Sequence, residues 1–378
     1  MKKKLTIGIA IYNISDCYLK PCIKSVAANR ADEIEIILVD DCSDTACAAR
    51  CAEYAVADSR MILIKNTANT GIGSVRNRII EEAKGDWIIF VDGDDMIAPH
   101  MAANVMSVCD GYDVILCGSQ NCSGTDFAIP DAAPSAPQCV PLSESHVKDL
   151  AAAAITRRHK SQSDMDDFSF RPGSVCGNAY RRDFLIQNNI TFDTRLKTAE
   201  DSLFHAAVFL ENPRTAVLKT TAYYYRQNPD SVTHRYDPDS KAVTDCYLAV
   251  IRDFITKRFE DAPSVIADFQ KYRCVFAVFD NFDRNLFHPK NPKPIRVRKQ
   301  AFDALLHTAP YDKAIENAKA SEYENHEAAF KVFLTKRHMF LLLNFCYKNR
   351  LIFKIYGGVR HRIQKYKRSV LKWKKGRI

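Results

Sequence analysis

No stretch of this 378-residue chain is apolar for long enough to cross a membrane. The longest near-continuous run, Met339 to Tyr347, falls far short of the roughly 20 residues a span needs. An export signal is imitated but not completed. Met1-Lys2-Lys3-Lys4 leads into apolar Leu5 to Ile11, but that run is short, meets Tyr12-Asn13 and has no small-residue cleavage site. It reads as a first β-strand. None of the 13 cysteines forms a C-x-x-C pair, and the Cys42, Cys47, Cys51 cluster has no second set at metal-ligand spacing. Cys22, Cys109, Cys117 and Cys346 sit among apolar neighbours, as reduced, half-buried thiols of a cytosolic protein do. Internal repeats are absent. Acidic residues are absent from 331 to 378, where fifteen are Lys or Arg. The whole chain carries +9, so the first 330 residues carry −6.

The composition that remains is globular: 47% hydrophobic and 26% charged, which excludes disorder throughout. The length suits two domains, or one large α/β domain with an appendage. The first 120 residues alternate strand and helix. Leu5 to Ile11, Ile34 to Val39, Met61 to Ile64, Trp87 to Val91 and Val114 to Cys117 are short apolar runs of the kind that fill a parallel sheet covered on both faces. Between them, Leu19, Cys22, Ile23 and Val26 mark one face of a helix, as do Val75, Ile79, Ile80 and Ala83 before a stop at Gly85. This predicts a doubly wound α/β sheet with ligands at the carboxyl ends of its strands. Four prolines between 121 and 145 predict a loop without regular elements. From about 240 the apolar spacing is helical.

Two strands run into acidic clusters, Asp40-Asp41-Cys42-Ser43-Asp44 and Asp92-Gly93-Asp94-Asp95. Single aspartates after strands cap helices, and Asp44 and Asp95 suit that role. Caps do not explain so many carboxylates at one sheet rim. Mutual repulsion there calls for a hard cation, and Asp-x-Asp on a short turn suits Mg²⁺ or Mn²⁺ with sites left open for a diphosphate. Gly71 and Gly73, in Asn69-Thr70-Gly71-Ile72-Gly73-Ser74-Val75-Arg76-Asn77, offer backbone amides to phosphate at a helix start. A dinucleotide fingerprint would need glycine where Arg76 stands.

In order along the chain, these segments resemble the motifs of family-2 glycosyltransferases, inverting enzymes of the GT-A fold. Ile9-Ala10-Ile11-Tyr12-Asn13 is similar to the opening strand. Val39-Asp40-Asp41-Cys42-Ser43-Asp44 is similar to V-D-D-G-S-x-D, with Cys42 in the glycine position. Asn69-x-Gly71 to Arg76-Asn77 is similar to N-x-G-x-x-x-A-R-N. Ala83-Lys84-Gly85-Asp86-Trp87 leads to Asp92-Gly93-Asp94-Asp95 as in the D-x-D-D strand. Gly177 to Arg182, Glu200-Asp201-x-x-Phe204, and Tyr223-Tyr224-Tyr225-Arg226 with Ser231-Val232-Thr233 complete the set. The resemblance covers about residues 4 to 235.

The resemblance implies a Rossmann-like, mostly parallel central sheet with flanking helices, plus a helical C-terminal region. Residues 1–120 would form the nucleotide-sugar half, 121–238 the acceptor half, 239–330 a helical extension and 331–378 a basic amphipathic tail. It implies a metal-dependent hexosyltransferase of bacterial surface-polysaccharide synthesis, using a nucleotide-sugar, in most relatives a UDP-sugar. The acceptor would be a saccharide or a lipid-linked glycan. Asp41 would meet the base, with Tyr12 either flanking it or in the core. Asn69, Gly71 and Arg76 would shape the nucleotide pocket, Arg76 alternatively being a structural ion-pair partner. Asp94 would bind Mn²⁺ or Mg²⁺, and Asp92 the ribose or the metal through water. Inversion needs a base for the acceptor hydroxyl. Asp201 is that residue, with Glu200 in competition, and His234 is a further metal candidate. Cysteine at 42 narrows the turn, because glycine takes φ > 0 more readily.

The tail interleaves Phe340, Leu341, Phe345, Leu351, Phe353 and Ile355 with Lys348, Arg350 and Lys354. That pattern suits an anionic membrane surface rather than nucleic acid, and predicts a cytoplasmic protein held peripherally on the inner face of the membrane. Two rivals remain: a catalytically inactive glycan- or membrane-binding protein, and a sugar nucleotidyltransferase. The latter would need a lysine- and glycine-rich triphosphate loop where Tyr12-Asn13-Ile14-Ser15-Asp16 stands.

Overall fold

β1 (Leu5–Ile11) and β2 (Ile34–Asp40) are buried at every position, and β4 (Trp87–Asp92) at all but its last. Strands apolar on both faces need helices above and below, and they pair in parallel: β1 lies between β2 and β4, with β3 (Met61–Lys65) beyond β2. The computed structural model describes residues 5–29, 33–125, 127–129, 138–158, 173–228, 231, 235–353 and 355–356. The strand order is β3-β2-β1-β4, then β8 (Ala179–Arg181), β6 (Val114–Cys122), β9 (Thr215–Arg226) and β5 (Met96–Ile97). β7 (Cys139–Pro141) pairs antiparallel with β9. β8 runs antiparallel to both β4 and β6, so the sheet is mixed but mostly parallel.

Helices cover this sheet as the apolar spacing predicts. α1 (Asp16–Ala27) buries Leu19, Cys22, Ile23 and Val26, and α3 (Ile72–Glu82) buries Val75, Ile79 and Ile80. Asp44 caps α2 (Thr45–Ala57), accepting from the Cys47 amide at 2.8 Å. α4 (Met101–Val108), α5 (Glu144–Thr156), α6 (Arg182–Gln187) and α7 (Glu200–Leu210) complete this unit. The loop expected over 121–145 is shorter than that. β6 continues to Cys122, and α5 begins at Glu144 with Ser143 as its cap. β7 lies between, and Pro141 is tolerated there because it ends a strand with one neighbour.

The chain divides into two units, residues 1–231 with 253–260, and 232–252 with 261–378. The second is helical: α8 (Ser240–Arg258) in its first part, then α9 (Ala262–Asp268), α10 (Cys274–Asn281), α11 (Ile295–Leu306), α12 (Tyr311–Asn317), α13 (His326–Lys336) and α14 (Phe340–Lys348). Its core is aromatic, with Phe282 stacked on Phe302 at 5.5 Å and Phe287 on Tyr347 at 4.7 Å. Among the described residues no helix is long and apolar enough to cross a membrane.

In the first unit, β1 connects to β2 on one side while α3 carries the chain from β3 across β1 to β4 on the other. The carboxyl ends of β1 and β4 therefore flank a switch in strand order, where α/β sheets open a crevice. The Gly93 amide donates to the Ala10 carbonyl at 3.0 Å and joins the two ends. Gly177 fits the far wall of this region. Its φ is +79°, its amide donates to the Phe90 carbonyl, and a β-carbon there would lie 2.5 Å from the Tyr223 Cβ. Gly177→Ala should therefore cost about 2 kcal/mol or more. The urea midpoint should fall at constant m-value, and an unchanged midpoint would contradict this packing.

Candidate active site

Arg76 projects from α3 into the crevice and is almost wholly buried. A buried guanidinium requires partners of opposite charge. Nη2 contacts Asp92 at 2.9 Å; Nη1 contacts Glu200 at 3.0 Å and Asp201 at 2.5 Å. Its plane lies over Phe192 at 5.5 Å, and Nε has no hydrogen-bond partner. One cation thus joins the end of β4 to the start of α7. Ala199, which precedes α7, is left-handed at φ 72°, an unfavourable state for a residue with a β-carbon. That backbone state sets the position from which Glu200 and Asp201 enter the crevice, and strain of this kind gathers at functional sites. The second Asp201 oxygen accepts from the Val175 amide at 3.3 Å. Burial pushes the Asp201 carboxyl up to about 8, against the pull of Arg76.

Asp94 sits on the same turn as Asp92. Burial raises its carboxyl, and the neighbouring Asp92 raises it further. Strand β9 grips the turn at three points, and Asn228 just beyond it adds a fourth. Tyr223 OH donates to Asp95 at 2.5 Å, and the Arg226 amide donates to the other Asp95 oxygen at 2.7 Å. Arg226 Nε donates to the Asp94 carbonyl at 3.0 Å, and Asn228 donates to the Asp94 carboxylate at 3.1 Å. Asp95 is therefore not the helix cap its sequence position suggested. α4 begins only at Met101, after His100, and the Asp95 carboxylate is buried beneath its own turn.

The residues fit a divalent cation in kind. Arg76 faces three carboxylates, Asp94 and Asp95 add two more, and Arg226 is the second guanidinium at the turn, so carboxylates outnumber cations at the rim. Among the described residues no group of three or more His, Cys, Asp or Glu side chains is arranged to cage a metal. Two carboxylates on one turn suit an ion that draws its other oxygens from water and phosphate, as Mg²⁺ does. His234 lies outside the described residues.

Asp41 faces the other side of the crevice. Its carboxylate accepts from the Thr70 amide and hydroxyl, the Gly71 amide at 2.8 Å and the Asn66 side chain at 2.7 Å. The Gly71 amide, expected to meet phosphate, is thus directed to Asp41. An acidic side chain takes the orphan amides at the start of α3, and Gly71 admits the turn with φ 86°. Cys42 occupies the left-handed region that glycine would take, at φ 62°. Tyr12 is half exposed beyond β1, not part of the core, and Asn69 is exposed. Asn13 stitches the two rim loops, donating to Ser43 and accepting from the Asp44 amide at 2.7 Å. Arg76, Asp92 and Asp201 are therefore joined directly, Asp94 lies beside them, and Tyr12 and Asn69 stand apart. Sequence reasoning gave Tyr223, Arg226 and Asn228 no role.

A family model described as glycosyl transferase family 2 matches residues 6–187. The uncharacterized glycosyltransferase EpsJ of Bacillus subtilis (strain 168) is 28% identical over 233 residues, 61% of this chain and 62% of that protein. The poly(ribitol-phosphate) beta-N-acetylglucosaminyltransferase TarS of Staphylococcus aureus (strain MW2) is 26% identical over 226 residues, 59% of this chain and 35% of that protein. The match thus spans about three fifths of EpsJ and about a third of TarS. The crystal structure of S. aureus TarS 1–349 in complex with UDP-GlcNAc superposes with a TM-score of 0.55 at 19% identity, covering 92% of each chain. That likeness is one of fold.

Removing the shared cation should strand its carboxylates. Arg76→Met is expected to cost about 3–5 kcal/mol in urea unfolding. Arg76 is the main influence holding the Asp201 carboxyl down, so its loss raises the folded-state value further. A raised carboxyl loses stability as pH climbs from its unfolded value, near 4. The deficit should therefore widen as pH climbs above about 8, where Asp201 ionises in wild type but not in the variant, and stay constant below that. A pH-independent deficit below about 1 kcal/mol would contradict the charge node.

Proposed function

Residues 6–187 form a family-2 glycosyl transferase domain, and from that premise we propose that the chain is an inverting glycosyltransferase. It moves a sugar from a nucleotide-sugar, a UDP-sugar, to a hydroxyl of a saccharide or lipid-linked acceptor in bacterial surface-polysaccharide synthesis. The observation that carries this reading is the single buried Arg76 holding Asp92, on the donor side, and Asp201, on the acceptor side. The complex of TarS with UDP-GlcNAc, in a relative of the same fold, supports a uridine donor. The basic composition of 331–378 supports a place on the inner, cytoplasmic face of the membrane.

The donor enters at the carboxyl ends of β1, β2 and β4. Asp41 holds the 66–71 loop against the base side, with Tyr12 and Asn69 at the rim above it. Asp94 and Asp92 are the residues to hold Mn²⁺ or Mg²⁺, which when bound would neutralise the diphosphate as a Lewis acid. Asp201 takes the proton of the acceptor hydroxyl as its oxygen attacks the anomeric carbon. The new C–O bond forms on the face opposite the breaking bond to phosphate, and the nucleoside diphosphate leaves with that electron pair. Arg76 keeps the base oriented, and burial keeps the carboxylate basic enough to accept a weakly acidic proton.

Asp201→Asn should abolish sugar transfer while UDP with Mn²⁺ still raises the unfolding temperature. Retained turnover would remove Asp201 from this role. The wild-type kcat/KM should climb with pH through a half-maximum near 8 and level off above it, because the base acts only when ionised. A profile flat across that range would contradict the assignment.

A further inference from the structure

α14 has two apolar faces, and the fold uses one. Phe340, Leu343, Cys346 and Tyr347 are buried, with Phe340 and Tyr347 packed on the Phe287 ring at 5.3 and 4.7 Å. Leu341, Leu342 and Phe345 point outward, Leu341 being 67% and Phe345 54% exposed. Leu341, Phe345 and Lys348 recur at i, i+4 and i+7, one stripe of the helix. Phe333, Met339, Leu351 and Ile355 are exposed on the segments to either side. Asp283 and Glu327 are held by the buried Lys331 at 3.1 and 2.9 Å, and Asp283 also meets Arg350 at 3.5 Å. The cations at the patch, Arg337, Lys348 and Arg350, are exposed, and the 22 residues after Tyr356 add nine Lys or Arg and no acid.

We propose that this outward face of α14 is a membrane-docking surface that inserts Leu341 and Phe345 into an anionic bilayer. The proposal rests on the reading that the chain works at a membrane, and names the surface that touches it. Aliphatic and aromatic side chains rimmed by cations match the two layers of an anionic membrane, acyl chains below and phosphates above. A second copy would bring the same cations against themselves. Nucleic acid would meet the charge but leave the leucines unburied.

The test uses the full-length chain with vesicles of phosphatidylcholine alone and of phosphatidylcholine with one third phosphatidylglycerol. Wild type should sediment with the anionic vesicles and remain in solution with the neutral ones. The double variant Leu341→Ser/Phe345→Ser should lose about tenfold or more in vesicle affinity. Its unfolding midpoint should not change, because both side chains are exposed. A second variant, Lys372→Gln/Lys374→Gln/Lys375→Gln, separates the tail from the helix. If it releases the protein and Leu341→Ser/Phe345→Ser does not, the docking surface is wrong while the membrane reading survives. If wild type ignores both vesicles, both fall. If Leu341→Ser/Phe345→Ser instead converts a dimer to a monomer with vesicle binding intact, the face belongs to a second copy and the proposal is overturned.

Discussion

A guanidinium buried in a protein interior has to be surrounded by acceptors, and the architecture of this crevice follows from how Arg76 meets that demand. Its partners come from two elements that do not touch in sequence: Asp92 from the end of β4, and Glu200 and Asp201 from the start of α7. The left-handed Ala199 and the aromatic floor of Phe192, Phe204 and Phe90 fix the approach of α7. The result is an acidic rim with less positive charge than its carboxylates require. Burial in that rim leaves one carboxyl, Asp201, raised well above the usual carboxylate range.

The sheet supplies the frame for this. Parallel pairing of β1, β2 and β4 brings the ends of all three strands to one edge, and the switch in strand order between β1 and β4 opens the space between them. β9, arriving from the opposite half of the domain, locks the Asp92–Asp95 turn through Tyr223 and Arg226. Two tasks are thereby separated: β9 gives the Asp92–Asp95 turn its rigidity, and Arg76 links that turn to Asp201.

Much of this was legible in the sequence because burial on two faces leaves a simple mark. The near-continuous apolar runs of β1, β2 and β4 and the one-sided stripes of α1 and α3 report their surroundings directly. The clustered aspartates and the order of the motifs located the rim. What did not show was pairing at a distance. Asp95 looked like a local cap because its true partner, Tyr223, lies 128 positions away. Arg76 left two roles open because its partners at 200 and 201 are 124 and 125 positions away. β7 and β8, at three residues each, are too short to carry a periodicity, and they exist because β9, β4 and β6 offer them edges.

Whether Arg76 couples Asp92 to Asp201 is answered most directly by a double-mutant cycle in unfolding free energy between Asp92→Asn and Asp201→Asn. Each single change leaves the guanidinium two carboxylates, whereas both together leave it one. The double variant should therefore be less stable than the sum of the singles by about 0.5–3 kcal/mol. Strict additivity would mean that the two carboxylates do not share the cation in solution, and the crevice would have to be held together by something else.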